Sequence, residues 1–562
     1  MAAHDIRTFI ARLEAAGQLV RVRAEVSADL EIAEIASRLA ARDGPAALFE
    51  NVAGHTMPVL VGAFASSQRM AWALGAERID EVAERVARLA ATVPLAGPGP
   101  RRGAGGAGLA AKVKALPKLL ELARLRPKTV RSGPCQDVVR TDDADLGRLP
   151  VLRSWPGDGG PFITLPQVYT ADPNGKHRNV GMYRLQVFGP RRLGMHWHRD
   201  HDGARNYRAW AEQGRAMPVA VALGGDPVLT YAATAPLPYG MDELVFAGFL
   251  RGEAVRVVPC RTVPLAVPAD AEIVIEGTVD PEERAREGPF GDHTGYYTPA
   301  DEYPVMRVTA ITHRADAVYP ATVVGRFPKE DCYLAKATER IFLPVIRTVV
   351  PEVVDINLPL FGVFHNWAFV SIRKTRPGQA RQVMRAIWGL GQLAYTKFLV
   401  VVDEGVNVHD TDEVLWRVGA EADPRRDTCL ETGPADVLDH AAPAPPGQSP
   451  ASPGRRPAER GGRPAADPPT PPAHPVPARS QKAQAGPDRI GSIRRTPGTR
   501  PKPIPAPRPP GRTLRTPRPV GRDAAGEAPA AHPTGPGASS PATTKSRNRP
   551  DAVPSRPSSP SA

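Results

Sequence analysis

Apolar positions mark out the elements before any composition is counted. Ile6, Ile10 and Leu13 fall on one helical face, "LVRVRAEV" alternates at period two, and "LEIAEIASRLAARDG" puts Ile32, Ile35 and Leu39 on one face before a terminal Gly. Residues 1–92 therefore read as a small α/β domain. A Gly/Pro-rich break, "PLAGPGPRRGAGGAG", and a helix from about Leu109 to Leu125 occupy 93–134. From 135 to 325 short strands dominate: "QVYTAD" and "NVGMYRLQVFG" flank a "PNGK" turn suited to a hairpin, and "PVAVAL", "AVRVVP", "EIVIEG" and "VMRVTAITHR" follow. That spacing favours a barrel or sandwich. Residues 326–440 return to alternation, with helices at "KEDCYLAKATERIF", "GQARQVMRAIWGLG" and "DEVLWRVGAE" and strands at "NWAFVSIRK" and "KFLVVVD", which predicts a second α/β layer with a partly parallel sheet. The fold class is α/β (α+β).

Charge changes the picture only at one end. The net charge of +13 suggests a nucleic-acid partner until it is divided along the chain. Residues 441–562 carry 20 Lys+Arg against 6 Asp+Glu, leaving 52 against 53 for the rest. The same segment holds 31 of 64 prolines and no aromatic residue, so it reads as a disordered Pro/Arg-rich tail. Its abrupt onset at Ala442, in residues with GC-rich codons, is what a reading-frame shift in a high-GC gene produces. The rival reading is an arm that binds nucleic acid through its arginines; the globular part carries no matching basic motif.

No apolar run reaches the roughly 18 residues of a membrane span, and the first helix lacks a signal-peptide core, which predicts a cytoplasmic protein. Cys135, Cys260, Cys332 and Cys429 lie far apart with no CxxC pair, so neither a disulfide framework nor a zinc ribbon is indicated.

Candidate chemistry gathers in four clusters of the middle region. "RNVGMYRLQ" sets Asn179 and Arg184 five apart, on opposite faces of a regular strand unless a bulge at Gly181 realigns them. "MHWHRDHDGARNYRAW" carries His196, His198 and His201 with Asp200 and Asp202, a density able to chelate a metal or cradle a phosphate. A metal-dependent hydrolase is the corresponding alternative, but the usual HExxH spacing is missing. "YGMDELVFAGFLRGE" reads as a helix begun by Asp242, with Glu243 in its first turn. In "EGPFGDHTGYY", Pro and two Gly exclude regular structure, placing Glu287 and Asp292 on a tight loop. Two acids held close in a dry pocket do not both ionise easily, so one is expected with a raised pKa and a proton to donate.

Together, "NVGMYRLQ", "MHW" with "DGA", "DELVFAGFLRG" and "EIVIEGTVDPEERAREGPFGDHTGYYTP" resemble the UbiD family of prenylated-FMN-dependent decarboxylases. The resemblance runs from "LFENV" to "DPRRDTCLETGPADVLDHAAP", about the first 440 residues. It implies a split β-barrel flavin-binding domain at 135–325 and an oligomer-forming C-terminal domain at 326–440. Arg184, Glu287 and Asp292 match the catalytic set, with Asp292 as proton donor. Met182, Tyr183, Arg184, His196, Trp197, His198, His201 and Asp202 match flavin-contacting positions. Asn179 and Glu243 match ligands of a divalent metal, usually Mn2+, with K+ as a further cation. The third ligand is His201 or Asp200, because this chain reads "DHDG" where many members have His-Lys-Asp-Gly. A flavin prenyltransferase is implied as cofactor supplier, and a homo-oligomer, dimer or hexamer, as the assembly. The Asp of "FGDHTGYY" and the "FAGFLRG" run look closest to the 4-hydroxy-3-polyprenylbenzoate decarboxylases of ubiquinone or menaquinone biosynthesis, which would add peripheral membrane contact. Enzymes of smaller phenolic or cinnamate-type acids are the alternative.

Overall fold

The computed structural model describes residues 5–92, 123–434, 436, 438 and 439. The expected helix at Leu109–Leu125, apart from its last turn, and the tail beyond residue 440 lie outside the described residues. Asp5 caps the first helix, Ile6–Ala15, by accepting from Thr8 N at 2.8 Å. Its face of Ile6, Phe9, Ile10 and Leu13 is buried, each side chain contributing about 1.5–3 kcal/mol. That face covers a four-stranded sheet in the order Leu19–Val22, Ala46–Phe49, Val59–Val61, Tyr319–Ala321. The fourth strand comes from far along the chain and pairs parallel to Val59–Val61. The N-terminal layer is thus completed by a segment that periodicity assigns to the middle region.

The central sheet runs Phe162–Ile163, Leu185–Gly189, Arg192–Met195, Asp301–His313, Ile273–Glu287, Met217–Leu223, Gln167–Ala171, Arg178–Gly181, with Val138–Arg140 added on Asp301–His313. The hairpin across "PNGK" forms as expected, Tyr169 facing Val180 and Thr170 facing Asn179. The expected barrel does not close: among the described residues the two end strands do not pair with each other, and the sheet is an open path. Its spine is the pair Ile273–Glu287 and Asp301–His313, whose register shifts at Glu276/Gly277 and again between Val279 and Arg284. Such bulges bend a sheet without closing it. They also carry the strand past Pro281, so "EIVIEG" is only the first half of a strand that ends at Glu287.

Strand Met217–Leu223 is buried on both faces. Met217, Val219, Val221 and Leu223 enter one core, while Ala220 and Ala222 enter the core shared with the N-terminal helices. A sheet sandwiched in this way shows a continuous apolar run instead of alternation.

Helix Glu330–Val349 leads into the last layer, its Leu334 and Ile341 packed in one core with Val82 and Val86 of helix Ile79–Thr92. There Trp367–Ile372 pairs antiparallel with Val353–Asn357 and parallel with Phe398–Asp403, the partly parallel sheet read from the alternation. Helices Gln379–Trp388 and Thr411–Glu421 flank it. Among the described residues no helix is long and apolar enough to cross a membrane.

Candidate active site

Arg184 reaches the site because its strand breaks. Arg178–Gly181 ends one side of the sheet, and Leu185–Gly189 resumes near the other, so Met182–Arg184 cross between them and strand parity no longer applies. Gly181 permits the crossing: a Cβ there would sit 2.2 Å from the Tyr183 hydroxyl oxygen. Met182 N donates to Ala233 O at 2.9 Å, which fixes the start of the crossing.

The two acids arrive from different places. Glu287 is the last residue of its long strand, opposite Asp301, and not part of a loop. Gly288, at φ +95°, turns the chain, and Phe290–Gly291 then pairs with Tyr297–Thr298 as a short hairpin headed by Asp292. Asp158 pins this hairpin, accepting from Gly291 N at 2.8 Å, Trp155 N at 2.9 Å and Ser154 N at 3.2 Å. Burial pushes the Asp158 carboxyl up to about 6 against those donors. Gln186 holds the other side through Gly288 N at 2.7 Å.

Between the acids lies the Arg184 guanidinium. Nε donates to Glu287 Oε1 at 3.1 Å and an Nη to Asp292 Oδ2 at 2.7 Å, with the cation over the Phe290 ring at 4.5 Å. His196 Nδ1 bonds the other Glu287 oxygen, and Thr298 Oγ1 donates to Asp292 Oδ2 at 2.7 Å. His293 Nδ1 lies 2.7 Å from Asp292 Oδ1, whose other donor is the His293 N–H at 2.8 Å. Glu287 is 1% exposed and Asp292 4%.

The expectation of one raised carboxyl fails on this geometry. Burial alone would raise both groups, yet Arg184 and His196 hold Glu287 below the usual range, and His293, Arg184 and Thr298 hold Asp292 well below it. The acids do not share a proton because a cation stands between them.

From Glu287 a line of histidines leads away. His198 Nε2 meets His196 Nε2 at 2.7 Å, and His201 Nδ1 accepts from His198 N at 3.2 Å. Burial makes all three imidazoles neutral: His196 is lowered, His198 lies far below its ordinary value, and His201 is pushed down to about 4. The His201 ring lies 5.0 Å from that of Tyr183.

At the far end sit Asn179, Tyr183, Trp197, Asp202 and Glu243. Asn179 Nδ2 donates to the Tyr183 hydroxyl at 3.4 Å, and so does Gly203 N, in the first turn of helix Asp202–Ala211. Trp197 Nε1 is buried with no partner among the described residues. Glu243 opens helix Glu243–Arg251 behind its cap Asp242, as its sequence predicts, and accepts from Val180 N at 2.9 Å. Burial, with Asp242 and Asp202 adding to it, pushes Glu243 up to about 7. A buried acid, a buried amide and an orphaned indole N–H suit a cation paired with a phosphate. No three His, Cys, Asp or Glu side chains converge on a metal position among the described residues, and Asp200 is exposed on its turn. His201 is committed to His198 and Tyr183. Asp200 and His201, the two expected third ligands, thus do not join Glu243 in such a cluster among the described residues.

His293, Thr298, Asp158 and Gln186 carry no role in the sequence reading. Only His293 left a signal there, since it directly follows the acid.

Three family models match in chain order: the 3-octaprenyl-4-hydroxybenzoate carboxy-lyase N-terminal domain at residues 10–89, the Rift-related domain at 128–327 and the C-terminal domain at 332–456. An uncharacterized protein of Archaeoglobus fulgidus is 49% identical over 447 residues, 79% of this chain and 90% of that protein. An evolved dimeric form of the UbiD-class enzyme HmfF from Pelotomaculum thermopropionicum, solved with prFMN, superposes with a TM-score of 0.65 at 32% identity, covering 76% of this chain and 91% of that one. The closed form of the Sedimentibacter hydroxybenzoicus vanillic acid decarboxylase gives a TM-score of 0.68 at 26% identity, covering 83% and 97%.

Proposed function

The chain belongs to the UbiD family of carboxy-lyases, and from that premise we propose that it decarboxylates 4-hydroxy-3-polyprenylbenzoate, a step of quinone formation, with prenylated FMN. The observation that carries the reading is the Arg184 fork joining the buried Glu287 and Asp292. Prenylated FMN, when bound, supplies the electron sink for loss of CO2.

The chain's own residues do the rest. Arg184 draws the substrate carboxylate into place, and Glu287, braced by His196, keeps the guanidinium aimed. Asp292 delivers a proton to the carbon that has lost CO2. Met182, Tyr183, His196, Trp197, His198, His201 and Asp202 line the flavin's place, where three neutral imidazoles exclude water without adding charge. Asn179 and Glu243 would hold Mn2+, with K+ as a further cation, against the flavin phosphate. A flavin prenyltransferase supplies the cofactor. The assembly is a homo-oligomer, for which Phe398, Leu415 and Trp416, exposed by 52%, 46% and 59% on the C-terminal layer, offer apolar surface.

A second reading keeps the chemistry and changes the substrate to a smaller phenolic acid. The likeness to a vanillic acid decarboxylase favours it. Co-expression with a flavin prenyltransferase, mass spectrometry of the bound flavin and CO2 release from a polyprenylated 4-hydroxybenzoate, 4-hydroxybenzoate, vanillate and cinnamate test both. Prenylated FMN with turnover is expected, and the preferred acid decides between the readings. Protein that takes up no flavin and releases no CO2 overturns both.

A further inference from the structure

We propose that His293 stores the proton that Asp292 delivers, passing it from Nδ1 to Asp292 Oδ1 once in each turnover; this rests on the decarboxylase reading above.

Asp292 cannot be its own proton store in this geometry. Oδ1 accepts from the His293 N–H and lies 2.7 Å from Nδ1, while Oδ2 accepts from Arg184 and Thr298. A carboxyl group that accepts three hydrogen bonds, one of them from a guanidinium, is held ionised and has no proton of its own to donate. Yet each CO2 released leaves a carbon that must gain one proton.

The neighbouring group able to hold that proton is the His293 imidazole. Its side chain is only 11% exposed, and its ring stacks on Phe364 at 4.5 Å and 13°, which fixes its plane. Three carboxylates face it, each from a different element: Asp292 from its own hairpin, Asp331 from the first turn of helix Glu330–Val349, and Asp436 from the segment bonded to His365 at 3.1 Å. Asp331 Oδ1 accepts from Cys332 N at 2.8 Å, while its Oδ2 is buried without a partner among the described residues. These charges outweigh burial and raise His293 above its ordinary value. They thereby favour the imidazolium beside an ionised Asp292.

Substrate binding sets the proton moving. A substrate carboxylate competes for Arg184, and Asp292 Oδ2 loses its strongest donor, so Asp292 becomes basic enough to take the proton from His293. The proton then goes to the carbanionic carbon, Asp292 returns to its ionised form, and His293 is reprotonated from solvent. The sum is one carboxylate and one proton giving CO2 and a C–H bond. His293 acts through Asp292 and so is a positioning and proton-holding residue.

The test uses the flavin-loaded enzyme and whichever acid of the panel above it turns over. For the unsubstituted protein, kcat should fall along one alkaline limb, at a pH above the ordinary histidine value of 6.5 because the raised group must stay protonated. His293→Asn keeps a donor for Asp292 but holds no proton. Its kcat should drop at least about tenfold and its alkaline limb vanish, with KM within about twofold and an unchanged flavin spectrum. Asp331→Asn should keep kcat at low pH and move the limb to lower pH, because one of the three facing charges is gone. A His293→Asn enzyme that retains the original limb overturns the proposal. Should that variant fail to take up flavin, an unmoved limb in Asp331→Asn overturns it instead. Absence of CO2 release from every acid by the unsubstituted, flavin-loaded protein would fell the decarboxylase reading and this proposal with it.

Discussion

The two ends of the site solve opposite electrostatic problems. Around Arg184 each buried acid already has a counter-charge: Glu287 pairs with Arg184 and is hydrogen-bonded by the neutral His196, and Asp292 faces Arg184 and His293. Around Glu243 the acids gather: Asp202 lies near, as does Asp242, itself paired with Arg178, and Glu243 has only backbone donors to answer its own charge. The first end is assembled by the chain itself. The second is where the proposed function sets a cation. On the proposed function, chemistry that depends on geometry to a fraction of an ångström is thus built on internal ion pairs, and cofactor retention on a charge supplied from outside.

The most severe way to break this contrast is Asp292→Asn. The substitution keeps the size of the side chain and an acceptor for His293, but its amide cannot carry a proton. Turnover should fall by about a hundred- to ten-thousand-fold while flavin stays bound, measured as CO2 release against flavin absorbance. A fully active variant would mean that the paired end is a structural ion cluster and the chemistry lies elsewhere.

How much of this contrast the sequence discloses depends on which contacts are local. The capped helix Glu243–Arg251, the "PNGK" hairpin and the amphipathic first helix follow from neighbours in the chain, and each forms. The open sheet does not follow, since it depends on bulges in two strands whose register is set across the sheet. Strand Tyr319–Ala321 joins the N-terminal layer through a contact no local pattern encodes. The same division holds in the site. Glu287 and Asp292 are visible as a pair of acids, but Glu287 is lowered first by Arg184, more than a hundred residues earlier, and Asp292 by His293 together with the same Arg184. The adjacency of His293 to Asp292 is legible; that its ring turns back onto the acid is a property of the hairpin.

Glu243→Gln sharpens the comparison at the other end. Glu243 titrates near 7, above its ordinary 4.5, so the stability it lends is greatest in acid and is lost as pH rises through about 7. In chelator-treated protein the glutamine variant should therefore be more stable than the parent at pH 8, by about 1–3 kcal/mol, with little difference at pH 5. Added Mn2+ should raise the melting temperature of the parent and leave that of the variant unmoved. Thermal melts at the two pH values, with and without Mn2+, read both effects. Equal Mn2+ stabilisation of parent and variant would remove Glu243 from the cation site.

Thr298→Val makes the smallest and most discriminating change at the paired end. Valine fills the same space and removes one donor from Asp292 Oδ2, leaving the Arg184 contact in place. The loss should be about 1 kcal/mol, because the remaining donors still satisfy the carboxylate. Its pH signature is opposite to that of Glu243. Asp292 is held well below its ordinary 3.8, so the stability it lends is present above that value and disappears only as pH falls through the lowered pKa. Removing the hydroxyl should thus destabilise the protein equally at pH 5 and pH 8 and show its pH dependence only in strong acid, in melts of parent and variant taken side by side. A Thr298→Val penalty that changed between pH 5 and pH 8 would place the Asp292 titration near neutrality. The paired end would then hold a proton of its own, and the electrostatic difference between the two ends would collapse.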